Sequence, residues 1–181
     1  MKEGQKDYIY IVVSRTNTLL GKVIRKKLSV TYNHCSLSLD DSLDCIYSFG
    51  RKTLWNMFHA GFVTESKNEG FFKIHSDANV LVIRMEVTSE TRVQMIKIIQ
   101  EFESRKDELQ YSALGLVYCT FGIARKRENK YFCSQFVAEV LEKAGLEVFE
   151  KPSTLVCPHD FLLVEGTDYV YEGCIGNYCA A

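Results

Sequence analysis

One cysteine in the chain stands where a nucleophile can be made. In Tyr131-Phe132-Cys133-Ser134-Gln135-Phe136-Val137 the apolar residues Phe136, Val137, Val140, Leu141 and Ala144 recur at helical spacing along one face. Counting back from Phe136 puts Cys133 in the first turn, at the inward edge of that helix. The positive end of the helix dipole and the unpaired backbone N–H groups there both favour thiolate. Such a cysteine can attack a carbonyl if a histidine reaches it from elsewhere in the fold. The plainer alternative is a core thiol, since free cysteine is among the most buried residue types.

Four histidines compete for the second role: His34, His59, His75 and His159. His34 opens a strand, Asn33 to Leu39, where position is rigid. Alternation separates Cys35, Leu37 and Leu39 from His34, Ser36 and Ser38. The polar turn Asp40 to Asp44 leads to a second strand, Cys45 to Gly50, and the two make a hairpin. If the second strand keeps its larger residues inside, Cys45, Tyr47 and Phe49 join the first set, while Ile46 and Ser48 share a face with His34. A slip of one residue would reverse that assignment. Ser48 is then the polar group placed to orient the imidazole. No acid or amide is present from Cys45 to Gly50, and a serine brings no compensating charge to an imidazolium. His59 and His75 fall in an irregular stretch, and His159 follows Pro158 near the end.

The elements that must position these groups follow from periodicity. Tyr8 to Val13 is β-branched and aromatic and predicts a buried strand. A short basic helix follows, with Leu19, Leu20, Val23, Ile24 and Leu28 on an apolar side and Arg15, Lys22, Arg25, Lys26 and Lys27 without an acid among them. A solvated face explains those charges most simply; contact with an anionic substrate or lipid head groups is the sharper alternative. Gly50 to Asn79 lacks clear periodicity and is expected to be a long structured connection overhanging the site. Val80 to Val87 predicts a third strand of the main sheet. Thr88 to Thr91 caps a helix with Met95, Ile98, Ile99 and Phe102 inward. Tyr111 to Ile123 predicts a helix broken at Gly115 and Gly122, and the polar run Arg125 to Lys130 leads into the cysteine helix.

The totals bound the class. At 181 residues, 46% hydrophobic and 25% charged, the chain is long enough for one well-cored domain over 1–181. A formal net charge of −1 gives no argument for nucleic acid. The seven cysteines contain no C-x-x-C pair and no small secreted framework. The apolar run Tyr8 to Val13 is too short for a signal-peptide core or a membrane span. Reduced thiols in a cytoplasmic protein are expected, with no cofactor. Cys157-Pro158-His159 with Cys174 and Cys179 could supply four zinc ligands, but the spacing is unusual and no paired knuckle is present.

The order of the motifs resembles a known family. A strand and then Ser-Arg-Thr-Asn-Thr-Leu-Leu with a basic helix is similar to the opening of circularly permuted papain-fold proteins of the NlpC type, including YiiX-like proteins. So are Asn33-His34-Cys35-Ser36-Leu37-Ser38, then Tyr47-Ser48-Phe49-Gly50-Arg51, then Tyr131-Phe132-Cys133-Ser134-Gln135-Phe136-Val137. In the unpermuted relatives the cysteine helix precedes the histidine strand; here the histidine comes first. The resemblance covers Tyr8 to about Phe161. It implies an α+β, permuted papain-like fold whose mixed or antiparallel sheet packs against the cysteine-bearing helix. It implies Cys133 as nucleophile and His34 as general base of a cysteine hydrolase or acyltransferase, acting on an amide, thioester or ester. Family substrates range from cross-link peptides to lipid acyl groups, so a small-molecule, peptide or lipid-acyl substrate is expected. Relatives carry a histidine, asparagine, glutamine or acid where this chain offers Ser48. A papain-like binding or regulatory domain without turnover is the alternative.

Overall fold

The computed structural model describes residues 6–15, 22, 25–27, 29–52 and 59–180. Their order is β1 (Lys6–Ser14), β2 (His34–Ser38), β3 (Ile46–Arg51), β4 (Ala60–Glu65), α1 (Gly70–Ile74), β5 (Asn79–Thr88), α2 (Ser89–Ser104), β6 (Gln110–Tyr111), α3 (Ala113–Thr120), β7 (Lys130–Tyr131), α4 (Cys133–Lys143) and β8 (Thr167–Cys174). Short 3-10 turns at Ser153–Leu155, Pro158–Leu163 and Ile175–Asn177 complete the last quarter.

β1 is the axis of the fold. Its neighbours are β2 and β5, and the six-stranded sheet runs β4-β3-β2-β1-β5-β8 with every pairing antiparallel. The α+β class and the mostly antiparallel sheet against the cysteine helix are as expected. β6 and β7 form a separate parallel pair. The apolar run in β1 is continuous because both faces of the sheet are covered. Ile9, Ile11 and Val13 turn to one side, against Met95, Ile99 and Phe102 of α2 and Phe136, Val137, Val140 and Leu141 of α4. Val12 turns to the other, with Ile46, Val80 and Val82, under Leu43, Phe72, Ile175 and Tyr178. Each such fully buried side chain contributes about 1.5–3 kcal/mol of transfer free energy.

Phe136 shows why α4 is held where it is. Its ring lies 5.0 Å from Phe102, 5.5 Å from Phe49 and 5.6 Å from Phe62, so the helix is keyed to α2, β3 and β4 together. Helix α2 starts as its sequence predicts, the Thr88 side chain accepting from the Thr91 N–H at 3.1 Å.

Two expectations are corrected. The stretch from Gly50 to Asn79 holds a full sheet strand, β4, in register with β3, and the short helix α1. Its sequence shows little alternation because Gly61 leaves one position without a side chain and the adjacent Phe62 and Val63 are both apolar. Gly115 does not break α3: it sits inside the helix, where a Cβ would come 2.5 Å from Ser112 Oγ and 3.4 Å from the Phe132 ring. Close packing, not a turn, requires that glycine. The helix ends instead at Phe121 and Gly122, the latter at φ 70°. Leu19, Leu20, Val23, Ile24 and Leu28 of the basic helix lie outside the described residues; Lys22 and Arg25–Lys27 are helical.

Candidate active site

Helix α4 begins at Cys133 because Phe132 just before it is extended, φ −106° and ψ 167°, and no side chain caps its first turn. The entry is fixed from outside. The Ser112 N–H donates to the Tyr131 carbonyl at 2.8 Å, Tyr111 pairs with Tyr131, and Phe132 packs with Leu116 and Cys119. Cys133 is fully buried at this junction.

The hairpin has the register that alternation favours: Leu37 opposes Tyr47 and Ser38 opposes Ile46. These two pairs are the whole β2–β3 ladder, so beyond Leu37 the two strands part and the main chain of Cys35, still in register with Val13 of β1 on one side, is no longer met by β3 on the other. Side chains take over. Ser48 Oγ donates to the Cys35 carbonyl at 2.8 Å, and the Cys35 N–H donates to the Cys133 sulfur. Ser48 Oγ also lies 3.2 Å from His34 Nε2. A serine has one proton, and here the carbonyl holds it; the Ser48 oxygen therefore accepts from Nε2–H. That fixes the tautomer and leaves Nδ1 as the basic nitrogen. The main chain of Cys35 thus holds Ser48, and through it His34, at its carbonyl and faces the Cys133 sulfur with its N–H. Among the described residues no hydrogen bond joins the Cys133 sulfur to the His34 ring.

Electrostatics departs from the expectation of a helix-activated thiolate. Burial pushes the Cys133 thiol up to about 11, although the N–H groups of Cys35, Ser134 and Cys133 itself pull the other way. Burial also pushes His34 down to about 4. Desolvation outweighs the helix terminus because both ions would lose their water while gaining only partial charges. At neutral pH the resting pair is thiol and neutral imidazole.

Two neighbours were not legible in the sequence. The Tyr111 hydroxyl stands beside the Cys133 sulfur, and burial followed by that sulfur holds its pKa far above the ordinary phenol range. Nothing in the local pattern marks Tyr111, because its place depends on a two-residue strand paired across 20 positions of chain. The second neighbour is a pair of thiols. Cys119 Sγ and Cys157 Sγ are 3.1 Å apart. The Cys157 N–H donates to Asp160 at 2.6 Å, and Asp160 binds Lys151 at 2.7 Å. The contact between the two sulfurs raises Cys119 and lowers Cys157.

The remaining candidates are elsewhere. His59 precedes β4, its carbonyl accepting from the Lys52 N–H; His75 follows α1; His159 lies in the 3-10 turn after Cys157. Among the described residues no group of three or more His, Cys, Asp or Glu side chains gathers to hold a metal, so the rival grouping of Cys157, His159, Cys174 and Cys179 is not assembled. Cys35 and Cys45 are free thiols, Cys35 facing the main core. No family model matches the chain, and no curated protein does.

Proposed function

We propose that the chain is a cysteine-dependent hydrolase or acyltransferase built on a permuted papain-like plan. The observation that supports this reading is that Cys133, at the N–H, and His34, through Ser48 at the carbonyl, converge on the main chain of Cys35, where the β2–β3 ladder opens. Because thiol and imidazole are both neutral at rest, attack and proton transfer go together. His34 Nδ1 takes the thiol proton as the sulfur bonds to a carbonyl carbon, and the carbonyl oxygen becomes an oxyanion. The Cys133 N–H at the uncapped helix terminus and the Tyr111 hydroxyl are the donors available to that oxyanion. Collapse expels the amine, alcohol or thiol, which takes the proton back from His34 and leaves an acyl-thioester on Cys133. Water or another acceptor, deprotonated by the same Nδ1, then frees the acyl group.

Ser48 holds the ring by a neutral hydrogen bond, so its part is positioning. The substrate class is an amide, thioester or ester of a small molecule, peptide or lipid, and the setting is the cytoplasm. A binding domain that keeps this arrangement without turnover is the second reading, favoured by the raised Cys133 and by Ser48, with no carboxylate among the described residues, as the partner of His34. An activated acyl ester given to the protein separates the two. A covalent acyl adduct on Cys133, found by intact and peptide mass and absent from Cys133→Ala and His34→Ala, is expected. Equal ester hydrolysis by parent and Cys133→Ala overturns the enzyme reading.

A further inference from the structure

Helix α3 is apolar on two sides. Its inner side, Gly115, Leu116 and Cys119, is buried against Phe132. Its outer side is bare: Leu114 is 53% exposed and Val117 36%, and past the helix end Phe121 is 62% and Ile123 50% exposed. Leu114, Val117 and Phe121 fall at i, i+3 and i+7, one stripe of the surface. Elsewhere the exposed large apolar side chains are spread over separate elements, as with Ile74, Val93 and Leu163.

Two cations lie over aromatic rings at this end of the helix. Lys27 Nζ lies 4.6 Å over the Phe121 ring, and the Arg125 guanidinium 5.5 Å over Tyr118, whose hydroxyl it also reaches. Lys22, Lys26 and Lys27 are exposed on the basic helix, and Arg125 and Lys126 on the loop leaving α3. Lys126 reaches the buried Glu139 at 3.4 Å. From Lys22 to Lys27 and from Phe121 to Arg127 the sequence has no acid.

We infer that the outer side of α3, with Leu114, Val117, Phe121 and Ile123 at its centre and Lys27 and Arg125 at its rim, docks on an anionic lipid bilayer surface. Aromatic and aliphatic side chains at one end of a helix enter the boundary between head groups and acyl chains, while long cations beside them reach the phosphates. The charge decides the occupant. Cations beside an apolar tip complement a polyanionic surface and repel a second copy of themselves. In this orientation the buried side of α3 carries Phe132, and hence the start of α4, next to the bilayer. The inference does not depend on turnover by Cys133.

Vesicle flotation tests it, with phosphatidylcholine alone or with about one quarter phosphatidylglycerol, at low and high salt. The parent protein and Cys133→Ala are expected to float with the anionic vesicles at low salt and to stay unbound with the neutral ones. Phe121→Ser with Ile123→Ser should weaken partitioning about tenfold, and Lys27→Glu with Arg125→Glu at least as much. All four positions are exposed, so unchanged thermal unfolding shows that the variants remain folded. No binding by the parent overturns the inference. So does full binding by the serine variant, or a dimer in sedimentation that the serine variant splits, which would assign the stripe to a second copy. Because the Cys133→Ala protein is tested too, failure here leaves the acyl-transfer reading to its own experiment.

Discussion

Two thiol environments lie within reach of one another and have opposite character. Cys133 has the feature usually taken to activate a cysteine, a helix N-terminus whose Cys133 and Ser134 N–H groups are joined by the Cys35 N–H from β2, and its pKa is nevertheless raised to about 11. Cys157 has no helix of comparable length behind it, is only partly buried, and is lowered by the contact with Cys119 and, further down, by Lys151. What distinguishes them is water. Partial charges on N–H groups offset part of the cost of a buried thiolate, but they do not replace its hydration. A thiol at 3.1 Å, on a sulfur that keeps some solvent, does better. The more acidic thiol and the proposed nucleophile are therefore different residues at rest.

The comparison breaks first on activity. Cys133→Ala and His34→Ala should each lower acyl transfer by about 10³-fold or more, while Cys157→Ala stays within a fewfold of the parent. A Cys157 variant as impaired as Cys133→Ala would move the nucleophile to the other pair. Alkylation is the next test. Iodoacetamide at neutral pH should mark Cys157 at least about tenfold faster than Cys133, because only thiolate reacts. The Cys133 rate should keep climbing until pH approaches about 11, followed by peptide mass spectrometry. Faster marking of Cys133 at neutral pH would mean that its burial is relieved in solution.

Ser48→Ala should act more gently on the same site. It leaves the Cys35 carbonyl and His34 Nε2 without partners, a loss of about 1–3 kcal/mol in chemical denaturation. Activity should fall roughly tenfold, with the pH profile displaced because the tautomer is no longer held. An unchanged pH profile would reduce Ser48 to packing.

The smallest effect is the pH dependence of stability. An unfolded histidine holds its proton below about 6.5, whereas folded His34 does so only below about 4. Between these values the unfolded chain binds the extra proton. The neutral ring's contribution is thus complete above about pH 6.5 and is lost as pH falls toward 4, at up to about 1.4 kcal/mol per pH unit. Cys133 mirrors this on the alkaline side: its contribution is complete below the unfolded value of about 8.5 and is lost as pH rises to about 11. Denaturation midpoints of His34→Gln should lack the acid limb and keep the alkaline one. A parent whose stability is flat from pH 4 to 7 would show that His34 is hydrated.

Local features of the fold follow from the chain alone. The apolar run of β1, the Thr88 cap of α2, the stripe from Phe136 to Leu141 and the alternation around His34 each follow from side-chain period and capping chemistry within a few residues, and each is present. That period also placed Ser48 on the face of His34. The tertiary structure decided the rest. β4 exists because β3 offers an edge, Gly115 is a helical residue because Phe132 presses on it, and Tyr111 meets Cys133 through a pairing across 20 positions. It also decided the state of the Cys133 thiol. Position in a helix can be counted from the chain, but the loss of water at Cys133 is the joint work of α4, β2 and the β6–β7 pair, and desolvation is set only when they close together.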